Sequence, residues 1–287
     1  MSSIWELDFY SRPILDENQK KVWEVLVCES PTETRTQPDS LFRYAQFCPS
    51  TQVNSGWLRT ALEEAMAKAH QPPIKIRFFR RQMNNMITKA CQDLGIPAQP
   101  SRRTLALYQW LQQRMAEVYP QEAGYQPGTN TSVRFEAPET QRLPDALMGK
   151  QWSFITLEAS AFEEMHEWEI DFSEAFPLQM AGVTPETIIP GVMIVSPRAL
   201  PLAGWMSGLE LGFLKFNNSP VARLLLETGA SESWILANIK DSEILAEANS
   251  FEEAKQKANG VHFLTVQTSP QAESFAGFWL LQEISIP

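Results

Sequence analysis

The chain has little of what membrane insertion or most catalysis requires. No apolar run reaches the ~18 residues that a membrane span needs, so membrane insertion is not expected. The opening Met-Ser-Ser-Ile-Trp-Glu-Leu-Asp shows neither a basic, apolar leader nor an arginine- and serine-rich presequence. The expectation is a protein that works in the cytoplasm where it is made. Cysteine is scarce: Cys28, Cys48 and Cys91 are odd in number, far apart and form no C-x-x-C pair. This argues against a disulfide frame or a zinc site and for small buried side chains in a reducing compartment. The three histidines, His70, His166 and His262, have no suggestive spacing, and no G-x-S-x-G elbow or glycine-rich phosphate cradle is present. His262 sits in an apolar strand pattern and reads as a packed side chain. His166 lies among Glu163, Glu164 and Glu167, which read as a solvated acidic face. No catalytic residue, metal or cofactor is expected.

What is present is an ordinary globular composition, 44% hydrophobic and 20% charged, over 287 residues. That length suggests about two domains. The net charge of −10 is unevenly placed: residues 1–120 carry a net +3 and residues 121–287 a net −13. The whole-chain value therefore does not exclude a polyanion partner for the first half.

Residues 4–14 and 21–29 alternate and are rich in β-formers, with a hairpin loop at 15–20, and 41–48 is a third strand. Asn54 and Ser55 cap a helix that Pro72-Pro73 stops. A fourth strand covers 74–80, a second helix runs from Gln82 to a stop at Gly95, and Ser101 caps a third helix through Val118. The order resembles the ribonuclease-H-like arrangement. Residues 121–150, punctuated by proline and glycine, read as a linker.

The second half, 151–287, reads as strands at 151–158 and 187–196, a helix over 203–216 and a hairpin around Thr228-Gly229-Ala230. A capping box, Ser250-Phe251-Glu252-Glu253, opens a helix closed by Gly260, and strands follow at 261–267 and 275–285. The fold class expected is α/β (α+β): a ribonuclease-H-like 1–120 domain, then a mixed sheet with helices. Trp5–Phe9 is echoed by Trp168–Phe172, and Cys48-Pro49 with Gly56-Trp57 by Ser196-Pro197 with Gly204-Trp205. The offsets differ between these echoes, which leaves a diverged repeat open.

A ribonuclease-H-like enzyme needs carboxylates converging on two metal ions. Asp8 fits one position and Glu63 or Glu64 another, but the end of the fourth strand carries Arg80 and Arg81, and no carboxylate occurs between Glu64 and Asp93. A divergent metal nuclease is thus a minor alternative, and Asp8 is read more plainly as a strand-end carboxylate that pairs with an arginine or a backbone donor. The strongest chemical signal is the cationic stretch 75–103, with Lys75, Arg77, Arg80, Arg81, Lys89, Arg102 and Arg103 against Asp93 alone. Arginine gives bidentate phosphate contacts, and a ring such as Phe79 can stack on an unpaired base. Strand alternation sets Lys75, Arg77 and Phe79 on one face and Phe78 with Arg80 on the other, so one of the two phenylalanines is expected to be exposed. Lys75, Arg77, Phe79, Arg80, Arg81, Lys89, Arg102 and Arg103 are the candidate contacts to a single-stranded nucleic acid; the plainer reading of the same composition is a charged edge strand with phenylalanine packed in the core. Replacing Arg80 and Arg81 with alanine is expected to weaken nucleic-acid binding and leave the fold intact.

The strings IWELDFYSRPILD, FRYAQFCPS, GWLRTALEEA, IKIRFFRRQMNNMITKAC and PSRRTLALYQWL, continued by LPDALMGKQWSFITLEAS, IIPGVMIVSPRALPLAGWMSGLE and ARLLLETGASESWILA, carry a family resemblance. The chain resembles the chloroplast and cyanobacterial A/U-rich RNA-binding translation factors named for synthesis of the photosystem I reaction-centre B subunit. The resemblance implies non-catalytic binding of A/U-rich single-stranded RNA, support of translation and photosystem biogenesis, and a cyanobacterial member without a transit peptide. It implies no particular contact residues. A second reading makes the protein an interaction or assembly factor for photosystem subunits or the translation apparatus, its acidic second half docking a basic partner.

Overall fold

The computed structural model describes residues 3–128, 140–144, 149 and 151–284. The fold is mixed α/β, and the chain divides into two compact units. The first holds 1–30 and 39–135 with 285–287; the second holds 31–38 and 136–284.

In the first unit, β1 (Ser3–Leu15), β2 (Lys21–Glu29) and β3 (Arg43–Cys48) form an antiparallel meander. The β1–β2 turn is closed by Asp16, whose Oδ1 accepts the Asn18 and Lys20 N–H groups at 2.9 Å. Helix α1 (Ser55–Lys68) follows, with Asn54 Oδ1 accepting the Trp57 N–H at 2.9 Å as its N-cap. It leads to β4 (Pro73–Phe78), and α2 (Asn84–Asp93) leads to β5 (Ala98–Pro100). The sheet order is β3-β2-β1-β4-β5, with β4 parallel to β1 and β5 parallel to β4, the ribonuclease-H-like order.

Alternation along β1 decides the rest of this unit. Trp5, Leu7 and Phe9 join Ile76, Phe78, Leu58, Leu62 and Ile87 in one core beneath α1 and α2. Glu6 and Asp8 therefore point to the opposite face. That face is covered by α3 (Leu105–Glu117), whose Leu107 N–H donates to Glu6 Oε2 at 2.7 Å. A buried strand carboxylate thus caps α3, taking up an orphan N–H where the helix dipole favours negative charge. The expected cap, Ser101, instead accepts the Arg103 N–H at 3.0 Å in the turn before the helix.

Of the stretch read as a linker, residues 121–128, 140–144 and 149 are described. Leu15 N–H donates to Gly124 O and Gln126 N–H to Pro13 O, fastening its start along β1. Near its end, β6 (Thr140–Arg142) pairs in parallel with a strand of the second unit.

The second unit contains two sheets. The five-stranded one has the order β7-β9-β13-β14-β8, built from β7 (Gln151–Glu158), β8 (Ile170–Glu174), β9 (Ile188–Val195), β13 (Val261–Gln267) and β14 (Phe275–Gln282). The other has the order β10-β11-β12-β6, with β10 (Leu211–Asn217), β11 (Arg223–Thr228) and β12 (Glu232–Asn238) as a meander. Helices α4 (Ala199–Ser207) and α5 (Ser242–Lys257) contribute Leu202, Met206, Ala248 and Phe251 to a core shared with Leu214, Leu226, Leu264 and Trp279. On the other face of the five-stranded sheet, Phe263 stacks on Phe278 at 5.2 Å, with Phe162 edge-on to both. The segment 31–38 lies on this unit, where the Ala175 N–H donates to Thr32 O at 2.9 Å.

Two expectations for this half fail. The helix expected over 203–216 is the end of α4 followed by β10. The capping box at Ser250 is inside α5, which begins at Ser242 behind Asp241, whose side chain accepts the Glu243 N–H. The echoed motifs fall on unlike positions: Trp5–Phe9 lies in the central strand β1, whereas Trp168–Phe172 enters the edge strand β8. Gly56-Trp57 opens α1, while Gly204-Trp205 lies near the end of α4.

Candidate nucleic-acid interface

In an open α/β sheet, ligands gather beyond the carboxyl ends of the parallel strands. In the first unit that edge is formed by β1, β4 and β5. Leu7 is opposite Phe78, and Phe78 opposite Pro100, so Phe79-Arg80-Arg81 and Ser101-Arg102-Arg103 leave the sheet at neighbouring points, beside Asp8, where β1 runs on paired with β2.

Burial divides the expected contact residues. Arg77, Phe79 and Arg80 are 1%, 2% and 5% exposed, which removes them from direct contact with RNA. Arg77 lies opposite Glu6 on the face that α3 covers, and both Phe78 and Phe79 are buried, so the expectation of one exposed phenylalanine fails. The polypeptide leaves the strand at Phe78, earlier than the expected Arg80. Arg81, Arg102 and Arg103 stay partly exposed at the strand ends. Lys75 is partly exposed but sits three residues before the end of β4, about 10 Å back along the strand. Lys89 is exposed on α2 and bound to Asp93 at 2.5 Å.

Arg80 supports this rim from within. Its Nε donates to Asp8 Oδ1 at 2.6 Å and its Nη2 to Oδ2 at 3.3 Å, while Arg12 Nη1 donates to Oδ2 at 2.8 Å. Arg12 Nε also donates to Glu24 Oε2 at 2.9 Å, and Glu24 accepts from Tyr119 Oη at 2.6 Å and from Arg114. Burial alone would raise the Asp8 pKa, but the charges of Arg80 and Arg12 outweigh it and hold the carboxyl below its usual range. The Arg80 guanidinium also lies 4.1 Å from the centroid of the Tyr10 ring, and Tyr10 lies 5.5 Å from Trp23. Tyr10 and Trp23 are partly exposed, and neither was among the expected site residues. The spacing of Asp8, Tyr10 and Arg12 puts them on one face of a strand, the one signal that pointed to this cluster.

The carboxylates proposed for a nuclease do not converge. Asp8 points to the α3 face, whereas Glu63 and Glu64 are exposed on α1, which covers the other face. Glu63 is 3.7 Å from Arg59, and Glu64 accepts a hydrogen bond from Tyr44. Asp8 meets two guanidiniums. All three thiols are buried, and burial pushes Cys48 up to about 11 and Cys91 up to about 12, the opposite of what activates a nucleophile.

Fold and rim define the class: a two-unit α/β protein whose first unit presents cations and, among the described residues, no carboxylate cluster that could hold a metal at its strand ends. Two family models cover nearly all of it. Residues 4–114 match "RNA-binding protein Tab2/Atab2 N terminal" and residues 130–282 match "RNA-binding protein Tab2/Atab2, C-terminal domain". The chain belongs to this Tab2/Atab2 family of RNA-binding proteins. It is 37% identical over 290 residues to the chloroplastic "TAB2 homolog" of Zea mays, covering 99% of this chain and 72% of that protein. To the Arabidopsis thaliana homolog it is 36% identical, covering 99% and 75%.

Proposed function

We propose that the protein binds A/U-rich single-stranded RNA, without catalysing a reaction, in support of translation and photosystem biogenesis. The observation that carries this reading is membership, in both halves, of a family of RNA-binding proteins. Its place of action is the cytoplasm of a cyanobacterium-like cell. Among the described residues no helix is long and apolar enough to cross a membrane. Arg81, Arg102 and Arg103 take the phosphates, with Lys75 and Lys89 flanking them, and the partly exposed rings of Tyr10 and Trp23 offer faces on which bases stack. No carboxylate follows Asp93 until Glu117, so the rim is free of local acids from its own segment.

The test is fluorescence anisotropy with a labelled A/U-rich single strand at two salt concentrations, against a G/C-rich strand. Each phosphate contact to a single strand contributes about 0.7 to the slope of log affinity against log salt. Replacing both Arg102 and Arg103 with alanine is expected to weaken binding and flatten that slope by about 1.4. An unchanged slope in a folded variant removes the rim from the reading, and equal affinity for the two strands removes A/U selectivity.

A further inference from the structure

The second unit has an open strand edge at β8. β8 is the last strand of the five-stranded sheet, paired with β14 on one side, and among the described residues no strand pairs with its outer edge. An unpaired edge presents a row of N–H and C=O groups to any extended chain. A cleft of about 250 Å³ runs between this strand and the 31–38 segment, lined by Ile170, Ser173 and Ala175 on one side and Thr32, Glu33 and Arg35 on the other. A second cleft, of about 490 Å³, continues beyond Arg35 towards Phe162 and Glu163.

The surroundings choose the occupant. Glu163, Glu164, Glu167, Glu169 and Asp171 are all exposed here, and His166 is the one basic residue in the run 158–186. A polyanion is repelled, and a lysine- or arginine-bearing segment is attracted. The chain itself supplies the precedent. The 31–38 segment hydrogen-bonds to the backbone at Ala175, just past β8, and sets Arg35 against both clefts. The surface thus already holds one arginine-bearing stretch, which turns at Glu33–Thr36, and leaves room beside it.

We propose that the outer edge of β8, with the cleft between it and the 31–38 segment, docks an extended lysine- and arginine-rich segment of a partner protein, which adds to the sheet as a further strand. Backbone bonds to β8 give affinity, and the surrounding carboxylates give selectivity for cationic side chains. This surface is made of residues of the second unit, and the inference does not rest on RNA binding.

The experiment uses the full chain and a short fluorescent peptide that alternates lysine or arginine with threonine and valine. The same peptide with glutamate in place of its cations is the control. The cationic peptide is expected to bind, the acidic one is not, and Glu163→Lys with Asp171→Lys weakens binding about tenfold through like-charge contact. Amide exchange on the unmutated chain is expected to slow in 170–174 when the peptide is bound, so the answer survives if the charge-reversed variant misfolds. RNA affinity of that variant is expected to be unchanged. The proposal is overturned by equal affinity for the two peptides, by protection confined to β7 or to the rim, or by self-association through β8 with no protection from peptide.

Discussion

Arg80 was expected on a solvent-facing strand end, as a phosphate ligand, and the structure gives it to Asp8. The difference is one of partner: an arginine two residues past the end of β4 and an aspartate within β1, 72 positions apart in sequence, meet because β4 lies parallel to β1. The alternative reading of Asp8, a carboxylate paired with an arginine, was legible from the residue alone. The identity of the arginine needed the register. The consequence is that Arg80 and Arg81 behave differently. Removing Arg80 leaves a carboxylate of 0% side-chain exposure with half its compensation, which costs about 3–5 kcal/mol for a buried pair broken on one side. Arg80→Ala is therefore expected to lower the midpoint of urea unfolding markedly, while Arg81→Ala leaves it within about 0.5 kcal/mol, as a partly exposed substitution should. Equal midpoints for the two variants would show that the Asp8–Arg80 contact contributes little. The joint substitution expected to spare the fold does not separate binding from stability; Arg81 with Arg102 or Arg103 does.

Local signals were good guides to elements wherever the deciding contact was local. Asn54 caps α1, the turn at Asp16 closes the first hairpin, and Gly260, at φ +80°, ends the chain's passage from α5 into β13. They failed where a local pattern was ambiguous. Leu211 and Leu214 are three apart, as on a helix, yet Leu211–Asn217 is a strand because it pairs with β11. Ser250 sits in a helix interior with its hydroxyl bonded back to Ala246 O, so its capping-box spacing had no helix end to serve. The free edge of β10 is satisfied by side chains in place of a strand. Leu214 N–H donates to His262 Nε2 at 2.8 Å, Lys255 Nζ donates to Leu214 O at 2.9 Å, and Phe216 N–H donates to Glu252 Oε1 at 2.7 Å. His262 must therefore be neutral, with the proton on Nδ1 facing Gly260 O. Burial and then the charge of Lys255 pull its pKa down to about 3 from 6.5. The unfolded chain takes up this proton near pH 6.5 and the folded one does not. Stability from this group is complete above pH 6.5 and declines as the pH falls towards 3. The slope is up to about 1.4 kcal/mol per pH unit, or roughly 2 kcal/mol by pH 5. His262→Gln, which keeps an acceptor without the titration, is expected to flatten that slope. Denaturant melts at pH 7.5 and pH 5 decide it, and parallel losses in both proteins would assign the acid sensitivity to other groups.

At the scale of the molecule, the excess of acid in the second half was plain from the sequence, and so was the ribonuclease-H-like order of the first. What could not be read was the place of the 31–38 segment. Residues 31–38, PTETRTQP, show no period, and their hydrogen-bonded partner Ala175 lies over a hundred positions away. Exchanging 31–38 for a glycine–serine stretch of the same length is expected to leave the first unit's melting unchanged and lower that of the second. Followed by amide exchange, faster opening around Phe162 and Ala175 is the expected sign. Unchanged exchange there would mean that the segment rests on the second unit without stabilising it.

That placement also sets a timetable. Chains grow at roughly 5–20 residues per second, so 31–38 waits roughly ten to fifty seconds before residue 284 is added and the rest of its unit exists. Residues 1–30 and 39–135 of the first unit are made well before then, with this stretch between them. During that interval the loop has no home on its own chain. On a crowded polysome a second unit of a neighbouring chain is the nearest surface able to take it, so slow elongation, which lengthens the interval, favours exchanged pairs and fast elongation favours self-contained molecules.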